Sequence, residues 1–165
     1  MPVARRTALY GTLIALALVF SYLERFIPAP VPVPGIKLGL ANLVVVFALY
    51  RLRPHAALGI SAVRILLGGL LFGGPSAALY SLAGGLASFA AMLLLQKRKA
   101  FGVVGVSIGG GVFHNLGQIL LAMLVTQTPG LWYYAPLLIL SGEVTGLLMG
   151  LLAGYALRAL SRVSL

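Results

Sequence analysis

Six apolar stretches fill almost the whole of this chain, at residues 7–27, 36–52, 55–72, 76–96, 101–125 and 131–157. A helix needs about 20 apolar residues to cross a hydrocarbon core, and each stretch reaches or approaches that length. In lipid the backbone amides find no water, and a helix satisfies them within its own segment. A water-facing surface cannot be built from the remainder: 61% of the residues are hydrophobic and only 8% are charged, against roughly a quarter charged in a soluble domain. The reading is an all-α membrane protein, a bundle of about six transmembrane helices forming a single integral membrane domain over residues 1–165.

The connections are short. Arg53-Pro54 alone joins the second and third stretches, which predicts a tight turn where proline stops helix propagation. Lys97-Arg98-Lys99 joins the fourth and fifth. The first stretch follows Arg5 and Arg6 and is long for the core of a signal peptide, and Pro28-Ala29-Pro30 after it is a poor cleavage site. It is read as a retained first helix.

Positive residues in short loops stay on the cytoplasmic side, and they fix an orientation here. With the N-terminus inside, that side holds Arg5, Arg6, Arg51, Arg53, Lys97, Arg98, Lys99, Arg158 and Arg162, while the outside holds only Arg25 and Lys37. Both termini are therefore expected on the cytoplasmic side of a multi-pass protein of the cytoplasmic (inner) membrane. The net charge of +10 is spent at these loops and not on a solvated stripe, so nucleic acid is no expected partner. The first external loop, with Pro28, Pro30, Pro32 and Pro34, reads as a stiff polyproline strap, either a lid over a cavity or a spacer.

Ionisable and amide side chains at membrane depth are costly and normally face the bundle interior. Arg64 is the tenth residue of its 18-residue stretch, too deep to reach the surface, and needs an anionic partner. Glu143, in the outer half of the sixth stretch, is a candidate, either in a structural ion pair with Arg64 or beside a ligand. His114 and Gln118 lie four residues apart on one helix face, with Asn115 a step round and Gly111 on the same side. That polar stripe is either a ligand floor or a set of internally bonded groups. Lys37 and Asn42 enter the second stretch and can point to the same outer cavity, although Lys37 can also snorkel to lipid phosphates. With Arg64 they would make the cavity net positive and suited to a small anionic or carboxylate-bearing molecule.

Enzyme chemistry finds little material. Glu24 and Glu143 are the only acids and there is no aspartate, whereas magnesium-dependent diphosphate chemistry needs clustered carboxylates. No cysteine, P-loop, nucleophile elbow or paired-histidine zinc motif is present. The chain is read as a non-enzyme without cofactor or metal. The 21 glycines favour close helix packing, with Gly142, Gly146 and Gly150 on one helix; Gly109-Gly110-Gly111 either packs or loosens the fifth helix. Ala8, Gly11, Thr12 and Ala15 form a small-residue face on the first helix, for docking another membrane subunit or for internal packing.

Two motifs, Pro34-Gly35-Ile36-Lys37-Leu38-Gly39-Leu40-Ala41-Asn42 and Gly109-Gly110-Gly111-Val112-Phe113-His114-Asn115-Leu116-Gly117-Gln118, together resemble the bacterial Gx transporter family, whose older label is heptaprenyl diphosphate synthase component I. The resemblance spans essentially the whole chain. That family is similar in size and layout to the substrate-binding S components of energy-coupling-factor (ECF) transporters. The likeness implies six helices, a pocket opening outward under the first external loop, and a first helix that meets the transmembrane coupling subunit, here through Ala8, Gly11, Thr12 and Ala15. The expected function is substrate capture through Lys37, Asn42, Arg64, His114, Asn115, Gln118 and Glu143, with uptake driven by partner ATPases. The alternative is a non-catalytic accessory protein that holds a polyprenyl diphosphate or quinone precursor.

Overall fold

A computed structural model describes residues 2–27, 38–98 and 100–161. Among these residues the chain is helical throughout, with no strand. Six α-helices follow in order: α1 Val3–Leu23, α2 Leu40–Arg51, α3 Pro54–Gly68, α4 Gly74–Lys97, α5 Val103–Thr126 and α6 Ala135–Ala159. Short turns extend three of them, at Glu24–Phe26 after α1, Gly69–Gly73 after α3 and Pro129–Tyr134 before α6. The proline strap of residues 28–37, with Lys37, lies outside the described residues.

Four helical stretches, Val3–Phe26, Pro54–Lys97, Val103–Thr126 and Pro129–Ala159, are long and apolar enough to cross a membrane. The chain is a multi-pass membrane protein. The second stretch runs 44 residues but is no single rod. A Cβ on Gly85 would lie 2.5 Å from Ile65 Cδ1, whereas residues twenty apart along one straight helix are about 30 Å apart. The fold-back falls at Gly74, whose φ of 81° suits glycine.

The Arg53-Pro54 turn is as tight as its sequence predicts. Leu52 and Arg53 are both extended, and Pro54 opens α3 at a position whose N–H would be unbonded anyway. By contrast, α2 is shorter than the apolar stretch that contains it. It starts at Leu40, behind Gly39 at φ 75°, so its 12 residues give only about 18 Å of helix. This short helix sits at the centre: Val44, Val45, Val46, Ala48 and Leu49 are all at least 98% buried. Irregular backbone at membrane depth is tolerated where protein surrounds it or where it lines a cavity.

Tertiary contacts bring the basic loops together. Arg51 Nη2 donates to Leu160 O at 3.0 Å, and Gln96 Nε2 donates to Leu49 O at 3.1 Å, so α2, α4 and α6 end side by side. Cationic side chains at helix C-termini bond the last carbonyls and offset the dipole. The pairs Leu18–Gly68 and Tyr22–Phe72 run α1 parallel to α3, which places the start of α1 at the same end. Arg5, Arg6, Arg51, Arg53, Lys97, Arg98 and Arg158 thus share one end of the bundle, which is also where the described chain begins and finishes.

The closest helix contact is the α5–α6 seam. A Cβ on Gly142 would lie 2.8 Å from the backbone of Gly111 and Val112, one on Gly146 2.6 Å from Ile108 Cα, and one on Gly150 2.8 Å from Val104 Cα. Only hydrogen fits at these crossings, and small residues are how helices approach closely in lipid. Through Gly109-Gly110-Gly111 the fifth helix runs unbroken, which favours packing over loosening. The outer surface is apolar: Leu70 is 76% exposed and Leu124 67%, a surface made for hydrocarbon.

Candidate functional site

A cavity of about 340 Å³ occupies the half of the bundle away from the basic end. Six helices contribute. Ser21, Glu24 and Arg25 come from the end of α1 and the turn after it, and Leu38, Gly39, Ala41 and Asn42 from the start of α2. Arg64 and Phe72 come from α3 and its last turn, and Ser81 from α4. The floor is the glycine seam itself, with Gly111, His114 and Asn115 of α5 facing Thr145, Gly146 and Met149 of α6. Because the seam glycines carry no side chains, the space over them stays open to the polar groups around it.

Among the described residues the ionic chemistry is two cations against one carboxylate: Arg25, Arg64 and Glu24 all line the void. Glu24 is held in place from below, since the Gly39 N–H donates to its Oε1. This bond satisfies an amide at the N-terminus of α2, where the helix dipole favours negative charge. The same carboxylate lines the cavity together with Arg64. Arg64 Nε is shielded from solvent and has no hydrogen-bond partner, and a buried guanidinium N–H without an acceptor is costly. At the rim, Arg25 lies 6.0 Å from the centre of the Phe72 ring, a cation–π distance, and Phe72 also meets Tyr22 at 5.4 Å.

Of the residues singled out in the sequence, Asn42, Arg64, His114 and Asn115 meet in this one cavity. Asn115 has a second duty: its Nδ2 donates to Leu138 O at 2.7 Å and ties α5 to α6. Gln118 shares the His114 face, as the four-residue spacing requires, but it is not a cavity residue. It packs on Gly84 of α4, whose added Cβ would sit 2.8 Å from Gln118 Cγ, and α4 closes over it there. Glu143 is placed apart, exposed on the outward face of α6. The carboxylate beside Arg64 is Glu24 and not Glu143. Lys37 lies outside the described residues.

Glu24 is the cavity residue that the motif reading passed over. It closes an apolar helix and is one of only two acids in the chain, which is a signal, but nothing local tells that the turn after α1 swings it toward Gly39. Ala8, Gly11, Thr12 and Ala15 are all exposed, and a Cβ on Gly11 would meet nothing within 4 Å. Internal packing therefore does not use this face. Among the described residues, no three His, Asp or Glu side chains come together, so the site's chemistry is that of guanidinium, carboxylate, amide and imidazole.

Fold and site together define a multi-pass helical membrane protein with a charged cavity buried in one half of its bundle. The chain belongs to the heptaprenyl diphosphate synthase component I family, whose description matches it over residues 13–156. No curated protein and no solved structure matches it.

Proposed function

We propose that this protein is the substrate-capture subunit of an ECF-type transporter, with six membrane passes, both termini in the cytoplasm and the cavity open to the outside. The observation that carries the reading is the shared void: Asn42, Arg64, His114 and Asn115, from three different helices, converge on about 340 Å³. That volume lies at the lower end of small-molecule pockets, about 300–1,000 Å³. The cavity's excess of positive charge fits a small anionic or amphipathic solute, vitamin-like or a cofactor precursor. A carboxylate or phosphate entering it would compete with Glu24 for Arg64 and supply an acceptor for the guanidinium.

The placement of the basic loops supports the topology, because the end that gathers seven cations is the one retained in the cytoplasm. The uncovered small-residue face of α1 supports docking of a coupling subunit through Ala8, Gly11, Thr12 and Ala15. The sequence has no phosphate-binding loop of its own, so uptake would draw on partner ATPases.

A second reading has one specific observation in its favour, the family description together with the Arg25 and Arg64 pair. In it the protein is a non-catalytic accessory that grips a polyprenyl diphosphate headgroup in the cavity. The small volume would leave most of a long tail outside, in the lipid.

Purification in mild detergent followed by native mass spectrometry tests the first reading. A stoichiometric small anion is expected with the wild-type protein and not with Arg64→Ala. A consistently empty wild-type cavity, with Arg64→Ala indistinguishable from it, would overturn the proposal. Prenyl diphosphates raising Tm where vitamins and small anions do not would favour the second reading.

A further inference from the structure

Glu143 has no task among the described residues. It is the ninth residue of the 25-residue α6, so at 1.5 Å per residue it lies about 12 Å from the start of the helix and about 6 Å short of its midpoint. It is exposed, and Leu140, Val144, Leu147, Leu148 and Leu151 around it are exposed apolar side chains. The cavity opens on the other side of α6, where Thr145, Gly146 and Met149 line it. No described residue forms a hydrogen bond or ion pair with Glu143. A carboxylate facing hydrocarbon at this depth is costly, and groups of this kind are found against a partner or a wet cavity. The cavity is excluded by geometry, which leaves the partner.

We propose that the outward face of α6 around Glu143 is an interface for a transmembrane helix of a different polypeptide, one that presents a Lys or Arg side chain at the same depth. Charge complementarity sets the chemistry of the occupant: only a cation or strong donor relieves a lone carboxylate there, and the flanking leucines supply the apolar contact on either side. The chain's own cations show why the occupant is not a second copy. Of 12 Lys and Arg, nine belong to the basic loops and terminal segments, Arg25 and Lys37 flank the linker between α1 and α2, and Arg64 lines the cavity. Among the described residues none lies at mid-depth on an outer face. A second copy docked through this same face would bring another Glu143 among its flanking leucines, and two like charges in contact repel. This surface is separate from the small-residue face of α1 and does not depend on what fills the cavity.

The test uses the full chain in liposomes, labelled with a donor fluorophore, and leucine-rich transmembrane peptides of about 20 residues carrying an acceptor. The peptides differ only at their midpoint, which is Lys, Gln or Leu. Energy transfer is expected at about tenfold lower peptide density for the Lys peptide than for the Leu peptide, the ratio that interhelical polar contacts give. Glu143→Gln is expected to erase that difference with Tm unchanged. Val144→Trp, which leaves the charge in place and obstructs the face, is expected to weaken the Lys peptide as well. Equal association of Lys and Leu peptides with the wild type would overturn the proposal, and so would a Lys peptide that ignores both substitutions. Self-association of the wild type that vanishes in Glu143→Gln would assign the face to a second copy instead. None of these outcomes bears on ligand capture, because Glu143 lies outside the cavity.

Discussion

The α5–α6 seam and the α1–α3 side of the bundle are built on opposite principles. In the seam, glycines bring two backbones into contact, Asn115 adds a hydrogen bond to Leu138 O, and no room is left for a side chain. On the α1–α3 side the helices stand apart around a void, α2 starts late, and a guanidinium N–H lies buried without an acceptor. Close packing and satisfied polar groups stabilise a structure, whereas open space and unmet polar groups cost stability and are retained where a ligand completes them. The seam is therefore the close-packed floor, and the other side is where the proposed binding falls.

Substitutions can break this contrast or sharpen it. Filling the seam should have the largest effect: Gly142→Leu pushes a side chain into backbone atoms that already lie 2.8 Å from a Cβ. Overpacking of this kind costs about 3 kcal/mol or more. Thermal unfolding in detergent should show a large fall in Tm or loss of the monodisperse species; a Tm unchanged by this substitution would remove the seam from its structural role.

Next in size is Arg64→Ala. It should lower affinity for the captured anion about 10- to 100-fold, since a hydrogen bond to a charged group contributes about 1.5–3 kcal/mol. Titration calorimetry would read this, and Arg64→Lys should recover part of the loss. Asn115→Leu comes third, because Asn115 belongs to both regions. Losing its bond to Leu138 O should destabilise the protein by about 1 kcal/mol. If Tm holds while ligand binding disappears, Asn115 acts only on the cavity side.

The smallest effect on stability should come from Gly11→Leu, where a side chain meets open space and exposed substitutions change stability by about 0.5 kcal/mol or less. The same change should abolish co-purification with a coupling subunit if the α1 face docks one. Gly142→Leu and Gly11→Leu place the same side chain in two glycine positions, so their difference in Tm measures the seam directly.

Much of the architecture was legible in advance, and the reasons lie in particular residues. Pro54 announces the α2–α3 turn, because a proline and the residue before it restrict the backbone whatever surrounds them. The apolar runs fix where helices form, because lipid admits little else. The start of α2 is less legible: the apolar stretch begins at residue 36, and hydropathy does not register that Gly39 takes a left-handed turn. In the site, Asn42, Arg64, His114 and Asn115 were recognised because polar groups at membrane depth are few and expensive. Gln118 and Glu143 were assigned to the same cavity on that argument, and the structure puts them elsewhere.

Those two misplacements share one cause. A helix that is apolar all round gives no amphipathic signal of which side faces inward, since hydrocarbon and protein core are equally apolar. Spacing says that His114 and Gln118 share a face, and Gly84 of α4 packs on both, yet only His114 lines the cavity. Depth along α6 puts Glu143 in the right half of the bundle, yet its azimuth turns it outward. By itself the sequence determined the solvent, the helices, their turns and the gathering of positive charge at one end, because these follow from local chemistry and from the length of each run. Only the tertiary structure decided how each helix is rotated about its axis, and with it that Arg64 and Glu24 line one void, because that rotation is set by glycine contacts and hydrogen bonds between segments far apart in the chain.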